Sequence, residues 1–421
     1  MELNITEQAT KGLFADCTLE EHNRRIARLR EEMDRQGVDA LFLTQESNVR
    51  YATAMFDVAW VIPSYFYTAL IPRDDKLPPA LFVPNGGQIQ TQASWFDTVV
   101  RWDFPPGFYM GKVGDSLIEA VSEWLTRLGL TKGRIATETG AHFRIGLSLE
   151  VFDALRSSVP EVIWSDCGAV VWPVRSIKSD EEIRRLRESV RISCESIKVG
   201  FEAIHDGMSE RDLVNIIAAE MHLRGGSDIK FTSLYAGPDR ALWADASPRR
   251  EMTIHPGSLI QFDGGCTYDG YYTDIKRFAS LGEPSDDQRS FYDIARAAEQ
   301  ASIDSVKPGR SYGEVYEASQ GAIRDAGYPQ FVQESQRFRW TSIGHNIGLD
   351  LHEMPGIAKG NESGLQVNQV ICIEPFFYHD GGFPIWTVSN KYGLEDQVLV
   401  TNDGHEVLSS DDFISRDIWV A

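Results

Sequence analysis

Apolar residues recur along this chain with two spacings, and the change from one to the other outlines its elements. From Thr18 the spacing is helical: Ile26, Leu29 and Met33 form one stripe, opened by Thr18 and Glu21 at capping-box distance and stopped by Gly37. The short β-branched and aromatic runs VDALFLT, FYTALIP, PALFVP, RIATE and VIWSD predict strands. Helical patterns in VGDSLIEAVSEWLTRLGL and LSLEVFDALRSSV are interleaved with them. Strands alternating with helices imply a mainly parallel or mixed sheet covered by helices, so the N-terminal part reads as an α/β domain.

The pattern changes after CGAVVWPVRSIKS, a stretch read as the linker with Pro173 near the boundary, which divides the chain into domains 1–170 and 171–421. A second capping box, Ser179 with Glu182, opens the next domain. Helices are predicted at about 180–205 and 209–224 before one group of strands, and near 286–306 and 312–326 before another. Helices followed by strands therefore occur twice, without sequence identity between the halves.

Composition narrows the function classes. A formal net charge of −21 would repel nucleic-acid phosphates and anionic lipid surfaces, so neither partner is expected. The longest apolar candidate, VAWVIPSYFYTALIP, follows Asp57 and contains Pro63 and Pro72, so no membrane span is predicted. MELNITEQATKG lacks a basic start and an apolar core, which argues against a secretory signal and for the cytoplasm. Five scattered cysteines without a CxxC pair fit a reducing compartment better than a disulfide framework.

The chemistry lies in the second domain. Asp263 ends the strand-like run SLIQFD, Gly264 and Gly265 follow as turn residues, and Asp274 lies on the returning YYTDIKRF. A hairpin with a carboxylate on each arm can point both at one ion. His345 in GHNIGLDLHEMP, Glu374 after VICI and Glu395 in GLEDQVLV would complete a shell for two divalent cations, which need bridging carboxylates to sit side by side. Oxygen ligands with one imidazole suit manganese, cobalt, zinc or iron, manganese being favoured. Asp396, next to Glu395, is expected to face away by strand alternation.

With these motifs in place, residues 173 to 413 resemble the creatinase and Xaa-Pro peptidase family, which includes aminopeptidase P and prolidase. The resemblance implies a creatinase N-terminal-like α/β domain and an α+β pita-bread catalytic domain with a curved antiparallel sheet. It maps the family's metal ligands onto Asp263, Asp274, His345, Glu374 and Glu395, and a catalytic histidine onto His352. Glu374 is then the proton-transfer group. A homodimer is implied as well, with an N-terminal stretch resembling NVRYATAMFDVAW approaching the partner's site, so Phe56, Asp57 and Trp60 are candidate substrate contacts.

The expected activity is hydrolysis of an amide bond in a short substrate by a metal-bridging hydroxide, as in Xaa-Pro dipeptidases. Trp243, Tyr235, Phe376 and Phe377 are the expected aromatic pocket residues. Three positions depart from the family's peptidases: Ala246 and Thr341 stand where histidines are usual, and Gly393 where an arginine is common. The alternatives are therefore a non-peptide amidohydrolase of the creatine or ectoine type and, with Gly265 and Leu351 at that branch's functional positions, a dimethylsulfoniopropionate lyase. A metal-free binding module is the remaining alternative.

Overall fold

The computed structural model describes residues 12–85, 92–104, 114–237, 247–335, 341–378 and 391–421, and the chain divides into two units, Met1–Arg175 and Ser176–Ala421. In the first, helix α1 (Leu19–Gln36) begins where the sequence expects: Thr18 Oγ1 accepts from the Glu21 amide, and Gly37 closes the helix at φ 63°. Among the described residues this unit has six strands: β1 (Ala40–Leu43), β2 (Thr68–Pro72), β3 (Ala80–Pro84), β4 (Thr98–Trp102), β5 (Arg134–Thr137) and β6 (Ile163–Asp166). They form one mixed sheet in the order β4-β3-β2-β1-β5-β6. Pairing is antiparallel from β1 to β2 and from β2 to β3, and parallel elsewhere. Helices α2 (Glu46–Thr53), α3 (Asp115–Leu128) and α4 (Leu149–Ser158) also belong to this unit, with Phe42, Leu70, Phe82, Val121, Leu125 and Phe152 in its core.

Several elements differ from the sequence reading: α2 fills a stretch given no element, and the strand ending in SLIQFD continues through Gly264 and Gly265, read as turn residues, to Tyr268. Strand β4 comes from TVVRW, a run with no alternation to announce it, because four of its five residues are only partly buried. The expected linker is largely a helix, α5 (Gly168–Ser176), with Pro173 inside it. Val170, Val171, Trp172 and Val174 are all buried, so packing outweighs the proline's missing donor.

In the second unit, α6 (Asp180–Glu202) carries the full Ser179–Glu182 capping box, and α7 (Glu210–Leu223) follows. Next come β7 (Asp228–Ala236), β8 (Leu259–Tyr268), β9 (Tyr271–Tyr272) and β10 (Ile275–Ser280). Helices α8 (Asp286–Ser305) and α9 (Tyr312–Asp325) then precede β11 (Ser342–Asn346), β12 (Glu353–Ala358), β13 (Val370–Ile373), β14 (Phe376–Tyr378), β15 (Lys391–Gly393), β16 (Asp396–Val400), β17 (His405–Val407) and β18 (Trp419–Val420). The helices-then-strands sequence thus occurs twice. One sheet runs β18-β10-β8-β7, with β9 on β8; the other runs β12-β11-β13-β16-β17.

Among the described residues, a backbone pair joins the two sheets. Lys276 N donates to Glu395 O at 3.3 Å and Glu395 N donates to Lys276 O at 3.4 Å, an antiparallel bridge between β10 and the residue before β16. Tyr312, Val315 and Tyr316 of α9 pack on Ile343, Ile371, Ile373 and Val398 of the second sheet. This is the pita-bread arrangement, and its junction carries the acidic residues singled out above.

Candidate metal centre

Local backbone geometry explains why the ligands stand where they do. Gly264, beside Asp263, has φ 142°, and a Cβ there would lie 2.5 Å from Phe231 O of the neighbouring strand. Gly344, beside His345, has φ 155°, and its Cβ would lie 2.0 Å from Cys372 O. Only glycine permits both the conformation and the close approach of strands that aims the two side chains into the junction.

Asp263, Asp274, His345 and Glu395 are all buried. His345 Nε2 lies 3.9 Å from an oxygen of each of Asp274, Glu374 and Glu395. Its Nδ1 is 2.9 Å from Asn346 O, and since a carbonyl only accepts, Nδ1 carries the proton and Nε2 presents a lone pair to the carboxylates. Burial, then the neighbouring His352, pushes the His345 pKa down to about 4, so the imidazole is neutral near pH 7. Four donors about 2.1 Å from one ion stand about 3.5 Å apart at the corners of a tetrahedron. Asp274, His345 and His352, and likewise His345, Cys372 and Glu395, have donor atoms within 4.8 Å of one another, so small inward movements would close such a group on a divalent cation.

Unsatisfied atoms mark the same place. His345 Nε2, Asp274 Oδ1 and Glu395 Oε1 are buried without a hydrogen-bond partner among the described residues. Leaving a buried carboxylate oxygen unpartnered is costly, and a cation would satisfy all three. The donor set and the orphaned atoms fit one divalent ion.

The other side of the junction is different, and the sequence reading missed it. Lys276, fully buried, has Nζ 3.0 Å from Asp263 Oδ2, 3.1 Å from Glu374 Oε2 and 3.3 Å from Glu395 Oε2. Asp263 is its cross-strand partner on β8, and Glu395 is its partner across the sheet junction. Burial opposes its charge, but Asp263, Glu374 and Glu395 outweigh that and raise its pKa well above the ordinary lysine value. Lys276 lies two residues after Asp274, and strand alternation could have flagged it.

The remaining expected residues separate clearly. His352 is exposed and stacks on His345, ring centroids 3.9 Å apart. Asp396 faces away from the acidic group, accepting from Arg277 Nη2 at 2.5 Å and Ser409 Oγ at 2.6 Å. Burial would raise its pKa, but Arg277 and Arg416 prevail and lower it. Cys266 is buried against α6, with Sγ 3.4 Å from Ser193 Oγ.

Tyr235 is a buried residue whose hydroxyl donates to Lys391 O at 2.9 Å, and Phe377 stacks on Phe331 in the core with centroids 4.5 Å apart. Neither is an open pocket wall, because the strands that carry them turn these rings inward. In the N-terminal unit, Phe56 is exposed under the Arg50 guanidinium, Asp57 caps a short 3-10 turn by accepting from Ala59 N, and Trp60 packs on Tyr67. Trp243 and Ala246 lie outside the described residues. Thr341 is exposed. At Gly393 a Cβ would come 2.7 Å from both Phe376 Cβ and Pro375 O, so the chain there excludes the arginine common in the family's peptidases.

This fold and acidic junction define a class, and comparison with known proteins gives it a name. The chain belongs to metallopeptidase family M24, whose model matches residues 184–402, and the creatinase/prolidase N-terminal domain matches residues 25–177. It is a metal-dependent hydrolase of the creatinase and Xaa-Pro peptidase family. A Xaa-Pro dipeptidase of Lactobacillus delbrueckii subsp. lactis is 30% identical over 261 residues, covering 62% of this chain and 67% of that protein. An uncharacterized peptidase of Staphylococcus aureus (strain MSSA476) is 26% identical over 389 residues, 91% of this chain and 98% of its own length. Among solved structures, the fold is shared with a Xaa-Pro dipeptidase from Bacillus anthracis (TM-score 0.78, 24% identity, 95% of this chain and 100% of that one). It is shared too with the prolidase from Pyrococcus furiosus (TM-score 0.71, 24% identity, 90% and 99%).

Proposed function

We propose that this protein hydrolyses the amide bond of short Xaa-Pro peptides with a divalent cation, manganese for preference, held at the sheet junction. The observation that carries the reading is the convergence of His345 Nε2 with Asp274, Glu374 and Glu395 oxygens at 3.9 Å around buried, unpartnered atoms. A bound divalent cation supplies a water of lowered pKa and a Lewis acid for the substrate carbonyl.

The chain's own groups supply the rest. Glu374 has 22% of its side chain exposed, against 6% for Asp263, 5% for Asp274 and 1% for Glu395, so it is the carboxylate that faces incoming substrate. Burial works against its charge, yet Lys276 and His345 prevail and hold its pKa at about 2. It is therefore ionised at neutral pH, ready to take a proton from the attacking water and pass it to the leaving amine. His352, on the exposed side of His345, would donate to the carbonyl oxygen as negative charge develops there.

The dipeptidase relative supports a peptide substrate, and the scattered, odd set of cysteines supports a cytoplasmic setting. One observation favours a second reading: the packing at Gly393 removes an arginine common in the family's peptidases, which suits a smaller, non-peptide amide. Incubating metal-loaded protein with Xaa-Pro dipeptides and tripeptides, beside creatine and ectoine, separates the two, with His345→Ala as the blank. Cleavage of the proline peptides supports the first reading. Turnover of a small amide alone moves the assignment to the second.

A further inference from the structure

The ligand set implied by the family resemblance serves two metal ions, but the junction already contains one cation of its own. We infer that Lys276 takes the place of the second metal, so that the centre pairs a single divalent ion with a built-in ammonium. This rests on the metal-hydrolase reading above and changes its stoichiometry.

The oxygen atoms sort themselves between the two positive positions. Glu374 and Glu395 each give Oε2 to Lys276 Nζ and turn Oε1 towards His345. Two carboxylates thus bridge two centres, the task such groups perform between paired metal ions, with a side chain as one of the centres. Asp263 gives Oδ2 to Lys276, which brings the ammonium to three carboxylate partners for its three protons. Of the buried, unpartnered atoms, His345 Nε2 and Glu395 Oε1 face each other at 3.9 Å, on the far side of Glu395 from Lys276. Asp263, Asp274 and Glu395 are close enough to one another to hold an ion, but Lys276 Nζ lies within 3.3 Å of oxygens on two of the three.

Charge points the same way. Lys391, buried with Nζ 4.1 Å from the Phe376 ring centroid, is a second basic side chain near the junction. Counted formally, with Asp263, Asp274, Glu374 and Glu395 as carboxylates and Lys276 and Lys391 as ammonium groups, the charge is balanced by one divalent ion. A second would leave a net positive charge of two in a water-poor site, beside a lysine that has nowhere to withdraw without losing its three partners.

The test is a metal count that needs no substrate. Full-length protein is stripped with chelator, reloaded with excess Mn(II), freed of loose metal, and analysed by elemental mass spectrometry and electron paramagnetic resonance. The expected result is one manganese per chain with the spectrum of an isolated ion. Lys276→Ser, which removes the ammonium and opens its space, should take up twice as much and show two exchange-coupled ions. Two coupled manganese ions in the unmodified protein would overturn the inference while leaving the hydrolase reading intact. A folded Lys276→Ser protein still limited to one ion would overturn it too. Failure of the unmodified protein to retain any of several divalent metals would overturn both readings. If Lys276→Ser does not fold, the count on the unmodified protein decides alone.

Discussion

Arg277 is the residue through which stability and the metal centre should be coupled most tightly. It follows Lys276 on β10, points to the opposite face, and is fully buried. Its Nη1 donates to Lys276 O at 3.0 Å and Glu395 O at 2.9 Å, and its Nη2 donates to Asp396 Oδ1 at 2.5 Å and Ser409 O at 2.8 Å. Replacing it with methionine keeps most of the apolar volume but removes the charge and every one of these bonds. Removing one partner of a buried ion pair costs about 3–5 kcal/mol. Asp396 would keep Arg416 Nε at 2.9 Å and the Ser409 hydroxyl, and the Lys276 and Glu395 carbonyls would keep the amides that bridge the sheets, so the low end applies, about 3 kcal/mol. For a unit of this size, each kcal/mol shifts the melting temperature by about 2–4 °C, so Arg277→Met should lower the C-terminal unit's transition by about 6–12 °C. With the Arg277 donation to Glu395 O lost and that residue held less firmly, metal affinity should fall by about 10–100-fold. Differential scanning calorimetry and isothermal titration with Mn(II) measure the two effects. A loss below about 2 °C with unchanged affinity would refute the view that Arg277 clamps the junction.

Other consequences can be checked separately. His352→Ala should lower kcat by about 100-fold at saturating Mn(II), measured by steady-state kinetics, because His352 stacks on His345 at the open side of the site, where it can donate to developing negative charge. Gly344→Ala should destabilise the protein by about 3 kcal/mol or more, or prevent folding, since its Cβ would fall 2.0 Å from Cys372 O at a φ of 155°; chemical denaturation reads this directly. In the N-terminal unit, burial acts to raise the Glu21 pKa, but Arg24 and Arg25 outweigh it and bring it down to about 2 from 4.5. A depressed carboxylate pKa stabilises the fold above the unfolded value, so up to about 3 kcal/mol should be present above pH 4.5 and be lost as the pH falls towards 2. Urea denaturation across that range should show a slope that Glu21→Gln flattens.

Much of the architecture could be read from periodicity because local and global preferences agree there. The stripe of Ile26, Leu29 and Met33 became α1, and Ser179 with Glu182 became a true capping box. The acids and the histidine that the structure brings together at the junction stand out for a similar reason: acids placed against glycines and buried-strand residues have few structural uses. What escaped depends on tertiary contact. Strand β4 shows no alternation, since four of its five positions are only partly buried, and the Val170–Val174 region became helical because its apolar side chains found a core. The chemistry of Tyr235 and Phe377 suggests a pocket lining, but residue type alone does not say which way a ring turns. Lys276 was visible in TDIKRF, two residues beyond a ligand on the same strand face, yet its meaning needed Glu395 from the other sheet, 119 positions away, to be brought within 3.3 Å.

The central claim is that the sheet junction binds a divalent cation and uses it to cleave a proline peptide bond. It is tested most directly by following hydrolysis of a Xaa-Pro dipeptide as Mn(II) is titrated into chelator-treated protein, with Glu374→Gln beside it. The account predicts no turnover without metal, activity that saturates as the site fills, and no recovery in Glu374→Gln at equal metal content. Hydrolysis that persists in metal-free protein, or undiminished turnover by Glu374→Gln, would contradict it.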